Sequence, residues 1–144
     1  MKISTKGRYA LRMLLDLAEH GNGRCVSLQE IASRQGISKK YLEQIVPILN
    51  RGGLLKTNRG YQGGYMLSKR PDQYTAGEIL RMTEGTLCPV PCLEEGASCD
   101  RGADCLTLPL WQGLYRTVTD YLDHVTLQDL LDQRQAQNGN DYMI

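Results

Sequence analysis

Two short capped segments flank a glycine turn, and a glycine-rich hairpin pattern follows them. That order constrains the fold of this 144-residue chain more than any other feature. Ser27 to Glu30 (SLQE) is a capping box, in which the serine oxygen and the glutamate carboxylate satisfy backbone donors left open at a helix start. It predicts a short helix to about Arg34, with Leu28, Ile31 and Ala32 inward. Gln35-Gly36-Ile37 makes the turn. Ser38 then caps a second helix whose apolar face carries Leu42, Ile45, Val46 and Leu49, and Gly52-Gly53 ends it. Two such helices around a glycine turn form a helix-turn-helix.

Pro47 breaks this pattern locally. It has no N–H for the Glu43 carbonyl and its ring crowds that turn, so a kink or early break near Glu43 is expected. From Leu54, LLKTNRGYQGGYMLSK reads as two strands, with Leu55, Thr57, Tyr65 and Leu67 fitting the strand faces. Arg59-Gly60-Tyr61-Gln62-Gly63-Gly64 forms the tip, and a hairpin in this place is a wing.

Upstream, Thr5 is expected to cap a helix to about Glu19, with Ala10, Leu11, Leu14, Leu15, Leu17 and Ala18 as its buried stripe. Downstream, Thr75 to Glu78 (TAGE) is a second capping box and opens a helix to about Glu84. A long helix from about Leu106 carries an apolar stripe of Leu110, Leu114, Val118, Leu122 and Val125. A short helix from Leu127 to about Gln133 follows, and the polar QAQNGNDYMI is expected to be a mobile tail. The fold class is therefore mainly α with a small β-hairpin wing: a winged helix-turn-helix plus a long dimerisation helix. The divisions are 1–84 (winged helix-turn-helix), 85–105 (cysteine-rich loop), 106–133 (long helix and short helix) and 134–144 (tail).

Charge divides the chain. Residues 1–80 hold thirteen Lys/Arg against six acids, a surplus of +7, and residues 81–144 hold four Arg against ten acids, a deficit of −6. A basic half carrying a helix-turn-helix points to a polyanion, double-stranded DNA. Ser38, Lys39, Lys40, Tyr41, Glu43 and Gln44 form the face offered to the major groove, because the N-terminal residues of such a helix enter it. Lys39 and Lys40 suit phosphates, Gln44 suits adenine, and Glu43 can accept from a cytosine amino group. At the wing tip Arg59 suits the minor groove, and Gly60 and Tyr61 lie beside it.

Four of the five cysteines fall between Cys88 and Cys105. The start of the chain lacks the apolar core of a signal peptide, and its longest early apolar run is far too short to span a membrane, so a cytoplasmic protein without membrane contact is expected. In that compartment a cysteine cluster points to metal or redox chemistry rather than a disulfide framework. Cys92, Cys99 and Cys105 are spaced six and then five residues apart among glycines and acids, a segment that cannot bury a core. Structural zinc sites favour closer cysteine pairs. A bare thiol switch needs a depressed thiolate pKa, which the flanking acids oppose. No arrangement of nucleophile and base, phosphate loop or paired carboxylates points to an enzyme.

MKISTKGRYAL, ISKKYLEQIVPIL and GYQGGYMLSK, in that order, resemble the bacterial winged-helix regulators that include IscR, CymR and NsrR. The resemblance covers residues 1–133. Cys92, Cys99 and Cys105, followed by Leu106-Thr107 and Leu110-Trp111, resemble the cluster-binding branch, nearest to IscR. It implies a homodimer joined through the long helix, on a pseudo-palindromic operator. It also implies that the three cysteines ligate an iron–sulfur cluster, 2Fe-2S first and 4Fe-4S second. The function implied is transcriptional control of cluster assembly genes by cluster state. The fourth ligand stays open between Cys88 and Glu43. The IscR pattern has a histidine where this chain has Leu108, and the nitric-oxide-sensing branch has an acid where it has Arg8. Two alternatives remain: a nitric-oxide- or redox-sensing regulator, and a CymR-like repressor of cysteine metabolism controlled by a cysteine-synthase partner. The tail DYMI, ending in the Ile144 carboxylate, resembles peptides that enter such active sites.

Overall fold

A computed structural model describes residues 1–141 of the chain. Six α-helices and one hairpin appear among them: α1 (Thr5–His20), α2 (Leu28–Gln35), α3 (Lys39–Arg51), β1 (Leu55–Asn58), β2 (Gly64–Leu67), α4 (Ala76–Glu84), α5 (Leu108–His124) and α6 (Leu127–Asp141). Short 3-10 turns at Pro71–Gln73 and Pro91–Leu93 punctuate the connections. The winged helix-turn-helix is present as expected, and the Ser27, Ser38 and Thr75 hydroxyls cap their helices, while Glu30 and Glu78 pair with Arg24 and Lys69 rather than closing the expected capping boxes. Ser27 accepts from the Glu30 amide, Ser38 from Tyr41, and Thr75 from Glu78. Gly36 ends α2 at φ +64°, a left-handed conformation that glycine adopts without steric cost.

The core forms where α1, α2, α3 and α4 meet. Met13, Leu14, Ile31, Leu42, Ile45, Leu49 and Ile79 are fully buried there. Each such side chain contributes about 1.5–3 kcal/mol by leaving water. Leu55 pairs with Leu67 and Thr57 with Tyr65 across the wing, which matches the expected strand faces. A bridge between Val26 and Tyr65 ties the wing to the entry of α2.

Four expectations need correction. Ser4, not Thr5, caps α1: its hydroxyl accepts from the Gly7 amide. Glu84, at the far end of α4, explains the shift, because its Oε1 accepts from both the Ser4 amide (3.0 Å) and the Ser4 hydroxyl (2.7 Å). α3 does not break at Glu43. It runs through Pro47 to Arg51, held by four buried residues on one face while Pro47 points to solvent. The long helix starts at Leu108 rather than Leu106. α6 passes the expected end at Gln133 and continues to Asp141, supported by an ion pair from Arg134 to Glu19 of α1 at 2.5 Å. The expected tail is thus helical through Asp141, and residues 142–144 lie outside the described part.

Candidate nucleic-acid interface and cysteine loop

α3 presents Lys39, Lys40, Glu43 and Gln44 to solvent, directly after the exposed cap Ser38. These five residues are all exposed, where the sequence leads one to expect a groove-facing surface. Tyr41 sits differently. It is half-buried and meets the Tyr9 ring edge-on, with centroids 5.5 Å apart, so its ring serves the α1–α3 contact. Arg12 lies over the other member of that pair, 5.2 Å from the Tyr9 centroid.

The wing places Arg59, Gly60 and Tyr61 at its tip, all exposed, with Tyr61 at 97%. A tight turn makes this projection: the Gly63 amide donates to the Gly60 carbonyl at 2.9 Å, with Gly60 at φ +108°. Among the described residues no ion pair engages Lys39, Lys40 or Arg59, so their charges face outward unneutralised. This is what phosphate recognition requires.

Between Gly85 and Thr107 only Leu87 is buried. The loop is built from turns and one 3-10 segment, and none of its cysteines is in a disulfide. Cys92 and Cys99, both exposed, line one open cavity of about 740 Å³ together with Pro91, Ala97, Ser98 and Arg101. Cys105 stands apart, just before α5, with Sγ 3.3 Å from the Thr107 hydroxyl. Hydrogen bonds from the Thr107 hydroxyl, and then from the Thr107 and Leu108 amides, hold its thiol below the usual range. Among the described residues no three His, Cys, Asp or Glu side chains converge as a ready metal site. The donor set nevertheless fits a soft thiophilic group: three uncrosslinked thiols on an unburied loop, two of them facing a common space.

Cys88 occupies a different place. It lines a second cavity with Arg81, Leu93 and Tyr115, its Sγ is 3.5 Å from the Leu93 carbonyl, and its contact raises the Tyr115 pKa. Leu108, three residues after Cys105, is half-buried at the start of α5. Two residues escaped the sequence reading. Asp16 is a fully buried carboxylate on α1, and nothing local distinguishes it from a solvated acid. Tyr74 is fully buried under the wing. A faint signal for it exists: it precedes the Thr75 cap and joins Ile79 in one core, the spacing of a hydrophobic staple.

Residues 3–133 match the family described as "Rrf2: Iron-dependent Transcriptional regulator". The chain belongs to the Rrf2 family. CymR of Bacillus subtilis is 44% identical over 131 residues, covering 90% of this chain and 89% of that protein. The solved structure of CymR, the global cysteine regulator of that organism, superposes with a TM-score of 0.77 at 41% identity over 92% of this chain and 98% of that one. The rrf2 protein of Nitratidesulfovibrio vulgaris is 40% identical over 91% of this chain and 87% of its own length. The structure of T. potens IscR superposes with a TM-score of 0.75 at 37% identity, covering 95% of this chain and 91% of that one. This Rrf2 chain is thus a winged-helix regulator of transcription that binds DNA. Among its described residues no helix is long and apolar enough to cross a membrane.

Proposed function

We propose that this Rrf2 protein is a homodimeric cytoplasmic regulator whose operator choice is set by an iron–sulfur cluster on Cys92, Cys99 and Cys105, and that it controls genes of cluster assembly. The observation that carries this reading is the state and place of those thiols. They are uncrosslinked, on an unburied loop that joins α4 to α5. α4 packs against α1, α3 and α5, so a change in the loop bears on the reading helix and on the long helix together.

The exposed positions of the α3 and wing-tip residues support the following roles. Ser38, Lys39, Lys40, Glu43 and Gln44 meet the major groove, Tyr41 braces α3 against α1, and Arg59, Gly60 and Tyr61 approach the minor groove. A bound cluster, 2Fe-2S in the first reading and 4Fe-4S in the second, supplies iron–thiolate bonds that are made or lost with iron supply and oxidation. α5 supplies the dimer contact: no residue of this 17-residue helix is buried, and Leu110 (61% exposed), Leu114 and Tyr121 lie open on it. A large uncovered apolar face on a helix is the mark of a partner surface.

The test compares DNA retention by the anaerobically purified protein with that of the same protein after iron chelation. Cys92→Ala, Cys99→Ala and Cys105→Ala variants run in parallel. The reading expects a change in operator preference on chelation that none of the three variants shows. An identical preference before and after chelation contradicts it.

The 44% identity with CymR favours a second reading, a repressor of cysteine metabolism governed by a cysteine-synthase partner. The terminal residues that would enter such a partner, Tyr142 to Ile144, lie outside the described part. Pull-down of cysteine synthase by the full chain, lost on deleting Asp141 to Ile144, supports that alternative. A nitric-oxide- or redox-sensing regulator would show the same thiol dependence as the first reading, with the oxidant rather than iron as its trigger.

A further inference from the structure

We propose that Tyr74 is a positioning residue that fixes the angle of the wing against the α5–α6 joint, so that Arg59 meets DNA in a single register. The proposal rests on the reading that the wing contacts bases.

The Tyr74 ring is fully buried, yet its hydroxyl is fully engaged. It donates to the Leu54 carbonyl at 2.6 Å and accepts from the Ser68 amide at 2.9 Å. Leu54 immediately precedes β1 and Ser68 immediately follows β2. One hydroxyl therefore bonds both legs of the hairpin just past β1 and β2, and reinforces the direct bond from the Ser68 amide to the Leu54 carbonyl at 3.3 Å. The Ser68 hydroxyl lies 3.3 Å from it and donates to the Gly53 carbonyl at 2.6 Å, which extends the tie to the end of α3.

The backbone of the same segment holds the other end. The Tyr74 carbonyl accepts from the amide of Leu127, the first residue of α6, at 3.1 Å. The Ala76 amide donates to the Val125 carbonyl at 2.8 Å, and Thr75 pairs with Thr126 as a bridge. A single residue thus joins the root of the wing to the joint at the end of the long helix.

The wing's strands are four residues each, a length that is marginal alone in water, so its placement depends on its ties: the Val26–Tyr65 bridge at β2 and the Tyr74 hydroxyl at its root. Filling the core does not require the hydroxyl, since a phenyl ring occupies the same space. A buried hydroxyl is tolerated only with partners, and here both partners belong to the wing root.

Tyr74→Phe tests this on the full chain. Wild type, Tyr74→Phe, Arg59→Ala and Gln44→Ala each select duplexes from one random-sequence pool under identical anaerobic conditions, and the bound pools are sequenced. The proposal expects Tyr74→Phe to lose base preference at the positions that Arg59→Ala loses, by about threefold or more. It should keep the positions that Gln44→Ala loses, and a Tyr74→Phe/Arg59→Ala double variant should lose little beyond either single one. Wild-type preference at every position overturns the proposal, as does an even loss across all positions in step with a lower Tm, which is a purely structural effect. If Arg59→Ala keeps every preference, the wing reading itself fails, and that result is visible without the Tyr74 variant. Should Tyr74→Phe not fold, Ser68→Ala, which removes the hydroxyl between Tyr74 and Gly53, is judged by the same positions.

Discussion

Arg34 grips Asp16 with two nitrogens: Nη2 donates to Oδ1 at 2.7 Å and Nε to Oδ2 at 3.0 Å. Asp16 is fully buried on α1, and Arg34 stands in the last turn of α2. The Gln35 side-chain amide also donates to Asp16 Oδ2 at 2.9 Å, and the Arg12 guanidinium donates to the Gln35 carbonyl. This network sets how the helix-turn-helix sits on α1. Leaving one charge buried without its partner is costly, about 3–5 kcal/mol for a fully buried pair. Because Arg34 is partly exposed, Arg34→Ala should cost about 2–3 kcal/mol in urea unfolding.

The same pair predicts an acid limb. Burial pushes the Asp16 carboxyl up, but hydrogen bonds from Arg34 and Gln35 and the Arg34 charge outweigh it and hold the group below the usual range. A carboxylate lowered by folding contributes stability that is present above its unfolded pKa, near 4, and lost as pH falls through the folded value. Unfolding followed between about pH 5 and pH 2 should therefore show a steeper loss for wild type than for Asp16→Asn. Parallel curves would remove Asp16 from the acid response.

Pro47 costs α3 a hydrogen bond at an exposed site. Pro47→Ala restores the donor to the Glu43 carbonyl, and proline in a helix interior is about 3 kcal/mol worse than alanine. Proline also restricts the unfolded chain, which offsets part of this. The variant is expected to gain about 1–2 kcal/mol, read as a higher Tm.

Arg59→Ala should weaken specific DNA binding by about 1–3 kcal/mol, the worth of one good base contact. Lys39→Ala should weaken binding to all sequences alike and lower the salt slope by about one phosphate contact. Titrations at two or more salt concentrations separate the two behaviours.

Leu114→Asp places a charge on the open apolar face of α5. If that face joins two copies, dimer dissociation should rise at least about tenfold, measured by sedimentation. An unchanged dimer would put the contact elsewhere.

Much of the fold was legible because its signals are local. Ser27, Ser38 and Thr75 announce helix starts within four residues, and Gly36 and the Gly60–Gly64 stretch can occupy few places other than turns. What escaped depends on distant partners. Asp16 looks like a solvated acid until Arg34 and Gln35, a helix away, reach it. Ser4 takes the cap from Thr5 because Glu84, eighty residues on, arrives as its acceptor. Pro47 stays helical because the buried face of Leu42, Ile45, Val46 and Leu49 outweighs one missing bond. α6 outruns its polar sequence, and Arg134 reaches Glu19 from the extended part. The exposed positions at the start of α3 were legible apart from Tyr41, whose ring turns toward Tyr9. The cysteines were legible as residues, but their arrangement was not, since an unburied loop has no core to dictate it.

Cys88 and the three loop cysteines should separate in one experiment, because Cys88 faces Tyr115 and Leu93 rather than the Cys92–Cys99 cavity. The most direct measurement is anaerobic purification followed by an absorption spectrum and counts of iron, sulfide and zinc per chain. The account predicts visible absorption bands with iron and sulfide in equal amounts, lost in Cys92→Ala, Cys99→Ala or Cys105→Ala and kept in Cys88→Ala. A colourless protein that holds only zinc, or that takes up neither iron nor sulfide on reconstitution, would contradict it.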